Sequence, residues 1–371
     1  MNIMKQKIHI LINEEARRLG LYYGFWNWFF LFQKDLNDQD IDVNFFSEIN
    51  NKFIDGDHLF LNSRYFAQIN ERINIEYLKK IHSKNKNLYW FDMRDSAGTT
   101  QFEVLPYVKK YIKKQFYIDK KIYMNKLEGG RLYTDHYIKN YKLVDHKPYD
   151  QEILNAKYLS KLILGWNLGV CHFFDYIKFS KINYFLEFFK FKYLNSRDYK
   201  MKLPFYENWS DDKKKYDFFS LMNTNFYRKS VGFQRTKLKE ILKNIQNNNK
   251  FIEGRLSKKN YYKILRSSKV SIGAFGWGEV CYREFEATMC GTAFMTANMD
   301  SIETWPNIYH EGETYISYDF DFKNFHEKLQ NLISDFELRK KLVKNSNSIL
   351  HEAHANLGKE YFLKKIYEII T

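Results

Sequence analysis

Between Lys269 and Thr296 the chain concentrates residue types that can do chemistry: Gly273, Gly276 and Gly278, then Glu279, Arg283 and Glu286, then Gly291. The pattern reads as a strand over Lys269–Gly273, a glycine loop, a helix beginning near Glu279, Gly291 as its C-cap, and a strand over Ala293–Thr296. A glycine loop that feeds a helix N-terminus exposes backbone N–H groups and the positive end of the helix dipole, which suits a diphosphate. Arg283, about one turn in, adds a bidentate phosphate donor. On a helix starting at Glu279, that residue, Arg283 and Glu286 share one face. A carboxylate there can accept both hydroxyls of a ribose diol. The plain alternative is that tight turns need glycine for conformational reasons alone.

Other candidates flank this segment. Arg228 and Lys229 follow an expected strand at Tyr216–Met222, and Arg255 ends a later one, just before a cap position at Ser257. Ligands of open α/β sheets gather at the carboxyl ends of strands, so these cations are placed to neutralise a leaving diphosphate. On the acidic side, Glu14 and Glu15 follow the first expected strand, and Asp92 and Asp95 follow another. Either pair can supply a base or a positioning carboxylate; Asp92 and Asp95 can equally pair with Arg94 or cap a helix. The Asp-x-Asp matches at Asp38/Asp40, Asp55/Asp57 and Asp319/Asp321 are of a kind that chance supplies, and His351 and His354 lack the spacing of a zinc-binding His pair. No phosphate-binding Walker sequence and no Gly-x-Ser-x-Gly is present.

The elements that must hold these residues alternate. Ile8–Ile12, Asp57–Asn62 and Leu88–Phe91 read as strands separated by helix-length segments, and the rhythm restarts at Tyr216 with Gln234–Ile245 and Lys259–Ser267 as helices. From Pro106, apolar Tyr107, Val108, Tyr111, Ile112 and Phe116 fall on one helical face, with Lys109, Lys110, Lys113 and Lys114 on a solvated one. Lys181–Lys202 interleaves basic and aromatic residues, as an edge helix or a segment resting on an anionic membrane would. Trp209–Lys215 reads as a polar connection between two halves. Phe322–Leu342 and Ile349–Ile370 read as helices.

Length and composition bound the whole. The 371 residues, 44% hydrophobic and 19% aromatic, exclude a disordered chain and carry enough apolar material for two domains. The net charge of +15 favours polyanions, nucleotides or anionic headgroups as partners, although a Lys- and Asn-rich composition also arises from mutational drift. Cys171, Cys281 and Cys290 are too scattered for a disulfide framework or a zinc site, which points to a reducing cytoplasm. The apolar run Leu19–Phe32 falls short of the roughly 20 residues needed to span a bilayer.

The arrangement of Phe275-Gly-Trp-Gly-Glu279, Arg283-Glu-Phe-Glu-Ala287 and Gly291 resembles the nucleotide-sugar signature of GT-B glycosyltransferases, specifically the bacterial group-1-like enzymes of capsule and lipopolysaccharide synthesis. Ser301–Tyr309 extends the likeness, which covers residues 253–318 in detail. It departs in one respect: Gly278 stands where many relatives carry the first of two glutamates. The resemblance implies an α/β GT-B fold, two Rossmann-like domains facing across a cleft with a C-terminal helix packing back on the first. Residues 1–212 would bind the acceptor, residues 213–345 the nucleotide sugar, and residues 346–371 would form the crossover helix. It further implies that Glu286 binds the donor ribose, that Gly276, Gly278 and Arg283 hold the diphosphate with Arg255, Arg228 and Lys229 in support, and that Glu279 faces the donor sugar. The base, if the reaction inverts, would be Asp95 or Glu15. No metal or other cofactor is expected beside the nucleotide sugar. The expected partners are that donor, a glycan or lipid-linked acceptor and an anionic membrane surface at the inner face of the cytoplasmic membrane, with no nucleic acid. The competing readings are a nucleotide-sugar epimerase of similar fold and a basic, non-catalytic protein that binds nucleic acid or membrane.

Overall fold

A computed structural model describes residues 5–12, 25, 26, 28, 29, 31–66, 73–147, 149–170, 206–245 and 249–371. Glu15, its neighbour Glu14, Cys171 and the Lys181–Lys202 stretch lie outside them. The first half runs β1 (Gln6–Leu11), β2 (Ile41–Phe46), β3 (His58–Asn62), α1 (Ile75–Lys84), β4 (Leu88–Asp92), β5 (Lys110–Lys113), β6 (Gln115–Tyr117), α2 (Leu132–Tyr141) and β7 (Leu162–Leu164). Its sheet is parallel, in the order β2-β1-β3-β4-β5-β7. The second half runs β8 (Tyr216–Met222), α3 (Lys229–Lys243), β9 (Asn249–Glu253), α4 (Lys258–Arg266), β10 (Ser268–Ile272), α5 (Tyr282–Met289), β11 (Ala293–Ala297), β12 (Ile302–Thr304), β13 (Ile316–Tyr318), α6 (Phe325–Ser334), α7 (Phe336–Ala353) and α8 (Asn356–Ile370). A second parallel sheet follows, ordered β13-β11-β10-β8-β9.

Strand residues of the first sheet alternate between two cores. Leu59, Leu61, Leu88, Trp90 and Tyr111 join one, whereas Phe60, Tyr89, Phe91 and Ile112 join the other. Both faces are covered, which is why these strands read as continuous apolar runs. The second core is closed by α8, whose Phe362, Ile366 and Ile369 are fully buried beside Trp28 and Trp166. Tyr361 anchors the same helix by donating to the Gly165 carbonyl at 2.9 Å and stacking on Trp305 at 3.8 Å. The chain thus adopts the GT-B arrangement of two parallel α/β halves with a C-terminal helix returned to the first.

The halves are also joined by main chain. β6 of the first pairs antiparallel with β12 of the second, and the Ile118 amide donates to the Ser301 carbonyl at 2.9 Å. The segment after β12 continues the seam, since Asn167 Nδ2 donates to Thr304 Oγ1 and to the Pro306 carbonyl, each at 2.8 Å.

Two expectations are corrected. Residues from Pro106 do not form a helix: Phe102–Tyr107 is a 3-10 turn and the chain then enters β5 and β6. The apolar residues there serve two sheet faces, Tyr111 one and Ile112 the other, so their helical spacing is coincidental. The supposed solvated lysine face is partly interior, with Lys113 and Lys114 both buried. Lys113 Nζ meets Asp92 Oδ2 at 2.7 Å, directly across the β4–β5 register. Residues 209–215 lead directly into β8 and are packed on the second half: Trp209 Nε1 and Lys214 Nζ both donate to the Gly291 carbonyl, at 2.7 and 2.6 Å, and Asp211 pairs with Arg339.

Burial alone would push the Asp92 carboxyl up, but the charges of Lys113 and Arg94 and the bonds from Lys113 and Tyr111 more than offset this and hold it below the usual range. Its stabilising contribution is therefore complete above the ordinary carboxylate range and lost as pH falls through the depressed folded value. Asp92→Asn, which strands a buried ammonium, should cost about 3–5 kcal/mol in urea unfolding at pH 7, and Asp92→Asn combined with Lys113→Met should recover most of it. Equal losses in the single and double variants would show that the pair is not the source.

Candidate functional site

The carboxyl end of β10 and the first turn of α5 are joined by residues 273–281, the glycine loop. α5 starts at Tyr282 with Cys281 as N-cap, three residues later than the sequence reading placed it. Glu279 therefore lies in the loop and does not share a helical face with Arg283 and Glu286; the glycines delay helix formation while the loop crosses to the other half. Gly291, at φ 64°, ends the segment as expected.

Four successive carbonyls of this loop are each held by a side chain. Arg283 Nη1 reaches Ala274 at 3.5 Å, Arg235 Nε donates to Phe275 at 2.7 Å, Tyr133 Oη to Gly276 at 2.5 Å, and Arg131 Nε to Trp277 at 3.2 Å. The Phe275 amide donates to Gln234 Oε1 at 2.7 Å. Three guanidiniums thus ring one short loop. Arg235 comes from α3, Arg283 from α5, and Arg131 from the N-cap of α2 in the other half. A Cβ at Gly276 would overlap Arg235, and one at Gly278 would overlap the Asp95 carbonyl. These positions are glycine because charge and backbone come that close.

Carboxylates are scarce among them. Glu284 Oε1 stands 3.8 Å from Arg283 Nη1, and its buried Oε2 has no hydrogen-bond partner. Burial pushes the Glu284 carboxyl up against the opposing charge of Arg283. Burial, reinforced by the neighbouring Arg283 charge, pulls Arg235 down. An anion entering beside these two arginines would relieve that repulsion. Burial and Glu284 push the Cys281 thiol up to about 11, so it is no thiolate nucleophile at neutral pH.

Glu279 reaches across the junction. Its Oε1 accepts from Ser96 Oγ at 2.7 Å, and its Oε2 accepts from the Ala97 amide at 2.9 Å and Gln115 Nε2 at 3.2 Å. All three donors belong to the first half. Asp95 stands beside them, its carbonyl taking a second bond from Gln115 and its half-exposed carboxylate 3.4 Å from Lys114.

Glu286 faces the other side of α5. Tyr261 and Tyr262 of α4 donate to its two oxygens at 2.6 and 2.8 Å. Burial pushes this carboxyl up while the two phenols pull it back. The remaining candidates are dispersed. Asp92 belongs to the sheet core, Arg228 is tied to Asp145 at 3.7 Å and to the Lys147 carbonyl, and Lys229 and Arg255 are exposed. His354 Nε2 is engaged by the Gly169 carbonyl at 2.7 Å. Among the described residues no three His, Cys, Asp or Glu side chains gather to hold a metal ion.

Sequence reasoning did not single out Arg131, Arg235, Tyr133 or Glu284. Arg235 had a usable signal, one helical turn beyond Val231 on the helix after β8. Arg131 had none, being 146 residues from its loop partner.

Residues 232–357 match a family model described as glycosyl transferase-like. The second half therefore carries that family's sequence pattern, and Arg235, the glycine loop, Glu284 and Glu286 all fall inside the match. No curated protein matches the chain. Among solved structures it is similar to an alpha-glucosyltransferase in complex with UDP-glucose and DNA containing an abasic site, at 10% identity and TM-score 0.46 over 99% of each chain. It is also similar to a glycosyltransferase from Rickettsia africae, at 13% identity and TM-score 0.44 over 99% of this chain and 98% of that one. S. aureus TarM, at 10% identity and TM-score 0.42, covers 85% of this chain and 56% of its own.

Glu279→Ala removes one acceptor from three donors at once and should cost about 2–4 kcal/mol in urea unfolding. Exchange of the Ala97 amide with solvent should accelerate in parallel. An unchanged Ala97 rate would show that the Glu279 contact does not hold the halves together in solution.

Proposed function

We propose that this protein transfers a sugar from a nucleotide-sugar donor, bound against the glycine loop, to a hydroxyl of a glycan or lipid-linked acceptor presented by the first half. The observation that carries the reading is the ring of Arg131, Arg235 and Arg283 around residues 273–278, at the carboxyl end of a parallel strand where α/β proteins gather ligands. The glycosyl transferase-like match over residues 232–357 supports it.

In this reading Arg235 and Arg283 face the diphosphate. They stabilise the charge that grows on it as the glycosidic bond breaks, a task that needs no metal once fixed guanidiniums supply it. Gly276 and Gly278 let that group approach the backbone. Glu286 binds the ribose hydroxyls through lone pairs left by Tyr261 and Tyr262, which hold the carboxylate in one orientation. Glu279, with both oxygens committed to the first half, couples the donor loop to the acceptor side and does not itself attack or deprotonate. Asp95 is then the acceptor-side carboxylate nearest the loop, with Glu15 as the second candidate. Arg228, Lys229 and Arg255 add long-range positive potential. The finer proposal is a growing bacterial surface polysaccharide as acceptor, met at the inner membrane face, where the net charge of +15 favours anionic headgroups.

Calorimetric titration of UDP, GDP, dTDP, ADP and CMP into the wild type should show one preferred nucleotide. A charge-assisted hydrogen bond contributes about 1.5–3 kcal/mol, so Arg283→Gln, Arg235→Gln and Glu286→Ala should each weaken that nucleotide roughly 10- to 100-fold while the protein remains folded. Failure of all five nucleotides to bind would remove the donor site and with it the transferase reading.

A further inference from the structure

Beside the glycine loop, three aromatic rings and two guanidiniums form a closed circuit that spans both halves. The Arg131 guanidinium lies 5.7 Å from the Tyr149 ring and 5.7 Å from the Trp277 ring. Trp277 meets Tyr227 at 4.8 Å, and the Arg228 guanidinium lies 5.9 Å from Tyr227 and 5.4 Å from Tyr149, which completes the circuit. Phe226 backs Trp277 at 5.6 Å. Tyr149 and Arg131 belong to the first half, the others to the second.

Two features of this circuit call for a ligand. Tyr227 leaves 73% of its surface in solvent, an unusual exposure for so large a ring held in place by its neighbours. Arg131 is only 4% exposed, yet its Nε and Nη1 donate to the carbonyls of Trp277 and Gly129, and no carboxylate among the described residues comes within ion-pair distance. Glu279 acts on this guanidinium only from beyond ion-pair distance, so a buried cation held by carbonyls keeps room for a direct anionic partner.

We infer that Tyr149, Trp277, Tyr227, Arg131 and Arg228 form an acceptor platform for a saccharide chain carrying anionic groups. The inference rests on the transferase reading and deepens it. The exposed Tyr227 ring and the half-buried Tyr149 and Trp277 rings offer flat apolar surface to the C–H faces of sugar rings, and guanidinium N–H groups serve hydroxyls and anionic substituents together. Trp277 belongs to the glycine loop itself, so a chain lying on the platform is continuous with the donor site. The Arg131 charge, which has no direct carboxylate partner among the described residues, selects an anionic chain over a neutral one, while Arg228, 3.7 Å from Asp145, adds to it more weakly. The anionic group is a carboxylate or a phosphate, and the two are separated by the probes below.

The test is calorimetric titration of the full chain with hexagalacturonate, phosphorylated mannopentaose, neutral maltohexaose and the oligonucleotide (dT)6, with the nucleotide panel run on the same samples. The expected result is at least tenfold tighter binding of one anionic saccharide than of maltohexaose, weakening with added salt. Tyr227→Ala should lose fivefold or more of that affinity with its thermal midpoint unchanged, and Arg131→Gln should erase the preference for charge. Should Arg131→Gln fail to fold, Arg228→Gln tests the same charge from the partly exposed side and should reduce the preference. Equal binding of neutral and anionic chains, indifference to Tyr227→Ala, or a preference for (dT)6 would overturn the platform. Nucleotide binding without saccharide preference overturns this inference alone. Saccharide preference without nucleotide binding upholds the platform and overturns the transferase reading.

Discussion

The contact on which the rest of the molecule depends is the approach of residues 276–279 to residues 95–97. Gly278 lies so close to the Asp95 carbonyl that no side chain fits between them, and Glu279 sends a carboxylate into three donors of the opposite half. The two sheets also meet along the outer seam of β6 and β12, through α8, and where α2 packs on α3, with Gln234 Nε2 donating to Tyr137 Oη at 3.0 Å. With this central contact in place, Arg131 and Tyr133 of the first half reach loop carbonyls of the second. The glycine loop is thus shaped by both halves at once.

That dependence explains why the three guanidiniums are held as they are. A carboxylate partner would fix an arginine but also cancel its charge. Carbonyl partners fix its direction and leave the charge nearly whole. At Ala274, Phe275 and Trp277 the loop does the latter, and among the described residues the carboxylate in direct reach of the set is Glu284, at 3.8 Å from Arg283. The cost of keeping such cations out of water falls on the folded protein and is the ordinary sign of a site prepared for an anion.

Much of the frame was legible in the sequence because local signals were unambiguous. The β8 and β10 strands, the Ser257 cap of α4 and the positive-φ Gly291 each follow from a rule that needs only a few neighbouring residues. The segment after Pro106 misled for a physical reason: a strand buried on both faces sends neighbouring apolar residues, here Tyr111 and Ile112, to opposite cores, so a helical wheel can be filled by accident. Lys113 compounded the error, since a lysine reads as solvent-facing until its cross-strand partner Asp92 is known. The site divides in the same way. Arg283 and Glu286 stand out in the sequence because they follow the glycines directly, whereas Arg131 reaches the loop only through a contact 146 residues away.

The use made of Glu286 sharpens the point about function and position. A carboxylate seven residues beyond Glu279 is expected to face a ribose, and its two oxygens accept from Tyr261 and Tyr262. Each carboxylate oxygen has two lone pairs, so two phenols do not exhaust it. They do narrow its freedom to rotate, and a carboxylate that cannot rotate binds a diol with less entropy to lose. Raised by burial and lowered by those same hydroxyls, Glu286 is held as an acceptor in a fixed direction. The same device recurs in the loop carbonyls that orient Arg235 and Arg131: neutral partners set geometry, and the charged atom remains available for whatever enters the site.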